Sequence, residues 1–487
     1  LTLTPVSSSS MRRPDYSTTI PSKNAEKATS VRFDLISIFP DYFTPLGLSL
    51  MGKATQAGLV SVAVHDLRQW ASGRHRSVDD APYGGGAGMV MRADVWGKAL
   101  DQVLAMPLGS ANAGEIGAAK RRILAIPTPS GTPLTQALVE DLAHASQIAI
   151  ACGRYEGIDA RVGQHYSSRD VEVLEFSIGD YVLNGGEVAA MVLTEAVARL
   201  LDGFMGNPDS LVEESHSGAG LLEYPVYTRP REFRSLGVPQ VLLGGNHAAI
   251  ERWRRDRAIE KTARVRPDLA LALQAESLDD SDRAALASCG IAYPCSGAGK
   301  RVQIRVANAG DALELSALAA RAFPDVLSLD LPEKAACSHA ETRTSPDEFK
   351  AMAGDPLRYR IVVAQVPEGL AGYALTRVSP GALPADMVRP GRVDAGSAYL
   401  LECRVDQSWQ GSGIADALIE RTCADAARCG HRAIVLCANR ANKAAQGFYK
   451  RHGFRKRATR RFDGGGARND DVVMVRDLTD ASGLGAG

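Results

Sequence analysis

Glycine-rich loops give this chain its most readable chemistry. Ser177-Ile178-Gly179-Asp180-Tyr181-Val182-Leu183-Asn184-Gly185-Gly186-Glu187 carries paired glycines, which permit positive φ and leave no Cβ between backbone and ligand. Cys152-Gly153-Arg154-Tyr155-Glu156-Gly157-Ile158-Asp159 and Pro127-Thr128-Pro129-Ser130-Gly131 are of the same kind. Three such loops suit a small polar ligand gripped by backbone groups, and three ordinary turns are the plainer reading. A fourth turn, Gln410-Gly411-Ser412-Gly413-Ile414-Ala415, opens a helical segment. Free N–H groups at such a start make an anion site suited to a pyrophosphate.

Groups that could move a proton or hold a charge are sparser. Arg199 follows Glu195 by four residues, the spacing of an ordinary helical ion pair. Glu213-Glu214-Ser215-His216 is by default a solvated acidic loop, although the unperturbed pKa of histidine as a residue type suits it to proton transfer near neutrality. Arg74 and Arg76 precede an acidic pair and the run Gly84-Gly85-Gly86, which has neither the Gly-Lys-Ser/Thr ending of a phosphate loop nor a dinucleotide fingerprint. Arg252, Arg254 and Arg255 crowd one short span, either a solvated helix face or a phosphate-binding patch.

The elements that must position these groups alternate between strand and helix. Val31 to Phe39, Ile123 to Ile126, Gln147 to Ala151 and Val171 to Phe176 read as strands, and Val188 to Leu201 as an apolar helix. The loops thus sit at strand ends, where open α/β sheets bind ligands. From Leu222 to about Ala287 the pattern turns helical. Cys289 to Lys300 reads as a linker, and a second α/β pattern follows: strand Val302 to Val306, helix Asp311 to Phe323, and a hairpin of Tyr359 to Val366 with Leu370 to Val378. Strand Ala398 to Val405 then leads into the glycine turn and a helix from Asp416 to Cys429, with another strand at Ala433 to Cys437.

With 487 residues the chain has room for about three domains. Lys plus Arg and Asp plus Glu are equal at 56 each, so any nucleic-acid surface is a local patch. Eight cysteines without a CxxC pair or zinc-ligand spacing point to reduced thiols in a cytoplasmic protein. No run of about 18 apolar residues spans a membrane. Residues 1–30, polar and without a signal-peptide pattern, read as a disordered leader.

The strings Gly153 to Asp159 and Ser177 to Leu183, with Gly185-Gly186-Glu187, resemble bacterial tRNA (guanine-37-N1)-methyltransferase. So do Arg74-His75-Arg76, Val78-Asp79-Asp80 and Pro82 to Gly86 upstream, and Tyr227-Thr228-Arg229-Pro230 and Gly245-Asn246-His247-Ala248 downstream. The resemblance implies a SPOUT-class α/β domain with a trefoil knot over 31–205, a flexible loop at 206–220 and a small helical tRNA-binding subdomain at 221–290. It implies S-adenosylmethionine on Thr128, Pro129, Gly131, Gly153, Arg154, Tyr155, Glu156, Gly157, Ser177, Ile178, Gly179, Tyr181, Leu183, Gly185 and Gly186. RNA contacts fall to Arg74, Arg76, Asp79, Gly84, Gly85, Gly86, Arg252, Arg254 and Arg255. Arg199 becomes the cation beside guanine O6 and Glu214 the base, where the family normally has Asp; Ala87 stands where it usually has Pro. The family also brings a homodimer with the active site between subunits, and an association with magnesium for which no ligand cluster can be picked out.

After the linker at 291–300, Asn442, Ala445, Phe448, Tyr449, Gly453 and Phe454 join the glycine turn in an arrangement similar to the GNAT acetyltransferases. That resemblance covers 301–478, ahead of a tail at 479–487. It implies acetyl-CoA on Val405, Gln410, Gly411, Gly413, Ala415 and Asn442, and Tyr449 as the acid that protonates the leaving thiolate. Glu402 becomes a base for an unidentified amine acceptor, with pairing to Arg404 as its plainer role. The expectation is therefore a two-enzyme fusion. Its rivals are an impaired tRNA-binding module that recruits the acetyltransferase, and a silent rear half that serves only for interaction.

Overall fold

The computed structural model describes residues 31–108, 121–169, 171–206, 215, 220–321, 345–379, 381–384, 387, 393–464 and 467–479. The chain divides into two compact units, residues 1–212 and 213–487.

In the front unit the elements run β1 (Val31–Ser37), α1 (Ser49–Gln56), β2 (Val60–Asp66), β3 (Asp79–Asp80), β4 (Val90–Met91), α2 (Ala93–Ala105), β5 (Arg122–Pro133), α3 (Gln136–Leu142), β6 (Gln147–Ala151), α4 (Arg161–Ser167), β7 (Glu172–Ser177) and α5 (Glu187–Ala198). Five parallel strands lie in the order β2-β1-β6-β5-β7. Both faces are covered, so the central strands are apolar throughout instead of alternating. Ile148 and Ile150 point into one core with Leu193 and Val197 of α5, while Ala149 and Ala151 point into another with Trp96 and Leu100 of α2. The buried carboxylate of Asp34 in β1 is satisfied by Arg32 at 2.8 Å, His65 at 2.8 Å and Gln147 at 2.7 Å.

Two features depart from the sequence expectation. The stretch ending near Trp70, whose sequence pattern suggests only an amphipathic region, contains the edge strand β2. β5 does not stop at Pro127: its pairing with β7 skips from Pro127 to Thr132, so Thr128 to Gly131 bulge out and the strand resumes. Resumption brings backbone onto backbone. A Cβ on Gly131 would lie 2.5 Å from the Phe176 nitrogen.

The rear unit continues with β8 (Glu232–Phe233), β9 (Leu236–Gly237), α6 (His247–Val265), α7 (Pro267–Leu271), α8 (Asp280–Ser288), β10 (Ile291–Ala292), β11 (Lys300–Arg301), β12 (Gln303–Val306), α9 (Ala312–Arg321), α10 (Pro346–Ala353), β13 (Tyr359–Val366), β14 (Gly369–Arg377), β15 (Ala398–Val405), α11 (Ile414–Arg428), β16 (Ala433–Asn439), α12 (Lys443–Arg451), β17 (Arg455–Gly464) and β18 (Ala467–Asp477). Asn246 caps α6 by accepting from the Ala249 N–H at 3.2 Å, and Asp279 and Asp282 form a capping box on α8. The large sheet has the order β12-β13-β14-β15-β16-β18-β17 and is antiparallel except where β15 meets β16. That parallel pairing covers only Ala398 to Leu400, so the two strands part beyond it.

Of residues 291–300, expected as a linker, the first four are buried, while 295–298 are exposed. β10 pairs with β11; Ile291 and Tyr293 are buried in the core of the helical subdomain, and Ala292 is buried in the core of the large sheet. The period-two alternation of a strand sends neighbouring side chains to opposite sides.

Candidate functional site

In the front unit the three glycine-rich loops line one cavity of about 400 Å³. Thr128, Pro129, Gly153, Tyr155, Glu156, Gly157, Ser177, Ile178, Gly179, Tyr181, Leu183, Gly185 and Gly186 all line it. Gly131 sits behind, against Phe176. The Ser177 hydroxyl ties its own loop by donating to the Gly179 carbonyl at 3.0 Å. Asp159 and Asn184 also line the cavity, although neither was singled out from sequence.

Arg154 faces elsewhere. Its Nε donates to Glu187 at 3.1 Å, and its guanidinium lies 4.6 Å from the Phe39 ring centroid and 5.2 Å from that of Tyr42. Glu187, 1% exposed, also accepts from the Ser37 hydroxyl at 2.7 Å. This polar knot fixes the start of α5 behind the glycine pair. The family resemblance puts Arg154 among the ligand contacts, whereas its side chain pairs with Glu187, whose other partner Ser37 lies 150 residues earlier and carries no local sequence signal. Beside the knot, burial pushes the Cys152 thiol well above its usual range. It is thus a packing group and not a nucleophile.

Arg199 is the C-terminal cap of α5, half-buried. Glu214 and His216 lie outside the described residues. Arg74, Arg76 and Gly84 to Gly86 are exposed, and Asp79 pairs with Met91 in the β3–β4 ribbon.

In the rear unit Arg252 and Arg255 are not free cations. Both bond Asp282, Arg252 at 2.7 Å and Arg255 through two nitrogens at 2.9 and 2.7 Å, and Arg252 also meets Asp256 at 2.7 Å. Burial alone would raise the Asp282 carboxyl, and the Arg255 and Arg252 guanidiniums hold it below its ordinary value. Two of the five arginines expected on RNA, Arg252 and Arg255, therefore clamp α6 to α8. Arg254 lies 4.9 Å from the Tyr224 ring centroid.

The acetyltransferase-like residues gather where β15 and β16 part. Tyr449 and Phe448 pack against the core of the large sheet, as do Cys403 and Val405 of β15, and burial pushes the Tyr449 hydroxyl far above the usual range. Burial likewise pushes the Cys403 thiol up to about 12. Glu402 accepts from the Tyr373 hydroxyl at 2.6 Å and from Arg404 Nε at 3.1 Å. Its pairing with Arg404 is thus present, and Tyr373 is a second partner that sequence did not suggest. Gly411 and Gly413 adopt positive φ at the start of α11, and Val405, Gln410 and Ala415 line the same cavity as they do. Asn442 caps α12, accepting from the Ala445 N–H at 2.9 Å.

Among the described residues no group of three or more His, Cys, Asp or Glu could hold a metal ion, every cysteine is a free thiol, and no helix is long and apolar enough to cross a membrane.

Comparison with known proteins adds two family matches. Residues 31–272 match the family model described as tRNA (Guanine-1)-methyltransferase TrmD, and residues 323–454 match the Acetyltransferase (GNAT) family. A tRNA (guanine-N(1)-)-methyltransferase of Bifidobacterium animalis subsp. lactis is 52% identical over 259 residues, 53% of this chain and 94% of that protein. One from Thermobifida fusca is 54% identical over 264 residues, 54% of this chain and 97% of that protein. One from Salinispora tropica is 52% identical over 270 residues, 55% of this chain and all of that protein.

Proposed function

The chain belongs to the tRNA (guanine-1)-methyltransferase family and carries a GNAT acetyltransferase domain behind that part, and from this premise we propose that it methylates N1 of guanine 37 in tRNA and acetylates an amine. The observation that carries the first activity is the meeting of three glycine-rich loops on one cavity. Loops of this kind offer backbone N–H and C=O groups beside the polar side chains of Thr128, Ser130 and Asn184, which suits the adenosine and methionine parts of S-adenosylmethionine. When bound, that cofactor supplies an electrophilic methyl on a sulfonium. The trefoil knot of the SPOUT class belongs to the same proposal, supported by the parallel sheet whose strand ends carry the loops.

Guanine N1 bears a proton at neutral pH, so its lone pair becomes a good nucleophile only as that proton leaves. We assign proton abstraction to the carboxylate of Glu214, with His216 as second candidate. Arg199 would stabilise charge developing on O6, by about 2.7–4 kcal/mol on the oxyanion-hole precedent. Arg74, Arg76, the Gly84–Gly86 turn and Arg254 would meet tRNA phosphates or the target base. A cytoplasmic homodimer is part of this reading; exposed Val188 and Val192, one turn apart on α5, with Leu48 and Leu50, support a second copy as their cover. Magnesium enters no step.

For acetyl transfer, the edge of β15 left free beyond Leu400 offers backbone groups to a pantetheine, and the glycine turn offers N–H groups to a pyrophosphate. Tyr449 would protonate the leaving thiolate, and Glu402 would take the proton of the attacking amine.

The deciding experiment is transfer of labelled methyl from S-adenosylmethionine to tRNA transcripts carrying guanine or adenine at position 37. Labelling confined to guanine and lost in Glu214→Ala supports both reaction and base. Persistence in the variant moves the base to His216, and an inert wild type that still binds donor and tRNA overturns the methyltransferase reading.

A further inference from the structure

We infer that the nucleotide half of coenzyme A is held between the acetyltransferase glycine turn and the helical subdomain, with Arg257 of α6 as a phosphate contact supplied from outside the acetyltransferase fold. The inference rests on the reading of residues 301–478 as a coenzyme-A-dependent domain, and concerns which residues complete its site.

A single cavity of about 790 Å³ carries the argument. One wall is Gly411, Gly413 and Ala415; the opposite wall is Arg252 and Arg257 of α6 with Ser281 of α8. Val405 and Phe448 also line it, so it reaches the point where β15 and β16 part. A ligand laid along β15 with its pyrophosphate on the turn must enter this space.

The helical wall is fixed to the turn. α8 packs on α11, and a Cβ on Gly413 would collide with the carbonyl of Arg283. Gly413 therefore lacks a side chain for two reasons, its φ of 81° and the backbone pressed against it. Ser412 and Ile414 on either side are buried.

Charge in the cavity is largely paired. Asp256 meets Arg252 at 2.7 Å, Glu260 meets Arg257, and Asp416 accepts from His452 at 2.9 Å. Asp280 and Arg451 also line the cavity and form no ion pair among the described residues. The Nε of Arg257 is buried with no acceptor among the described residues. Phosphate oxygens outnumber those of a carboxylate, so a phosphate can replace Glu260 on the guanidinium without leaving the arginine unpaired. Arg451, at the end of α12, adds a second cation from the acetyltransferase side.

The test is acetyl-CoA binding to the full-length chain by titration calorimetry. Arg257→Ala is expected to weaken binding about tenfold, the value of a charge-assisted contact. Asp280→Asn, which removes a negative charge from the same wall, is expected to tighten it. Ser281→Trp, at an exposed position outside any ion pair, should fill the cavity from the helical side and weaken binding without disturbing the fold. Wild-type or tighter binding by both Arg257→Ala and Ser281→Trp overturns the inference and makes the helical subdomain a bystander or an obstruction. A wild type that binds no acetyl-CoA overturns the reading of the rear half, and this inference with it.

Discussion

Arg154 and Glu187 meet at 3.1 Å behind the crevice of the three glycine-rich loops, joining the second of those loops to the first turn of α5. The arginine stands at a ligand-loop position in sequence, yet its guanidinium serves the loop's posture. Glu187 is almost wholly buried, and Arg154 is its counter-charge.

Arg154→Met should therefore act first on stability. Breaking a buried pair leaves an uncompensated charge, which costs about 3–5 kcal/mol. Urea denaturation followed through the front unit should show that loss, with donor affinity falling alongside. Glu187→Gln, whose amide oxygen can still accept from Ser37, should cost less. An Arg154→Met protein as stable as wild type would refute the role given to the pair.

Gly131→Ala tests the bulge in β5. Its Cβ would stand 2.5 Å from the backbone nitrogen of the buried Phe176. Backbone cannot rotate away, so the strands must part, at a cost of about 1–3 kcal/mol. S-adenosylmethionine affinity should fall with it, because Thr128 and Pro129 ride on the same bulge; unchanged melting and binding would contradict this.

Asp282 links pH to the stability of the helical subdomain. Its folded carboxyl is held below the ordinary value of 3.8. The associated stabilisation is therefore complete above that value and disappears as pH falls through the lower folded one. Asp282→Asn should destabilise at about pH 7, by a margin that narrows as acid is added. A margin independent of pH would show that the carboxylate's charge is irrelevant. Because Arg252 and Arg255 are already paired, replacing either should change the salt dependence of tRNA binding by less than the ~0.9 per phosphate contact of a free cation.

His452 behaves in the opposite sense. Burial lowers its pKa, but Asp416 at 2.9 Å and Glu420 at 2.8 Å raise it to about 9. A raised value means stabilisation complete below the ordinary 6.5 and lost as pH climbs through about 9. An NMR titration of the imidazole should give a midpoint near that upper value, and a midpoint near 6.5 would dispose of the ion triad.

Tyr449→Phe should slow acetyl transfer about a hundredfold or more, the range for a positioned acid, while leaving acetyl-CoA affinity intact. Thiol release with a panel of amines provides the readout. An unaltered rate would remove Tyr449 from the reaction.

Much of the crevice was legible because its information is local. Glycines and prolines at strand ends mark loops within a few residues of sequence, and those loops do converge. Partnerships across distance were not legible. The basic run at Arg252 to Arg255 is plain in sequence, but the aspartate that consumes it lies 27 residues beyond Arg255. β2 was missed because Val60-Ser61-Val62-Ala63-Val64, an edge strand, presents small residues that also fit an amphipathic segment. Pro127 reads as a strand end, since proline lacks a donor; the strand resumes because Gly131 lets the chain return against Phe176. The residues assigned to proton abstraction, Glu214 and His216, lie outside the described part of the chain.

The alternation of Ile291, Ala292 and Tyr293 between two cores bears on where the chain can be divided. No cut between Ile291 and Tyr293 leaves both cores intact. An acetyltransferase beginning at residue 301 would leave behind the Ala292 that fills its own core. A methyltransferase ending at residue 290 would lose the buried Tyr293, whose hydroxyl donates to the Ala270 carbonyl at 2.7 Å. Either part made alone is therefore expected to expose a side chain that the whole chain buries, and to be less stable by itself than in the intact protein.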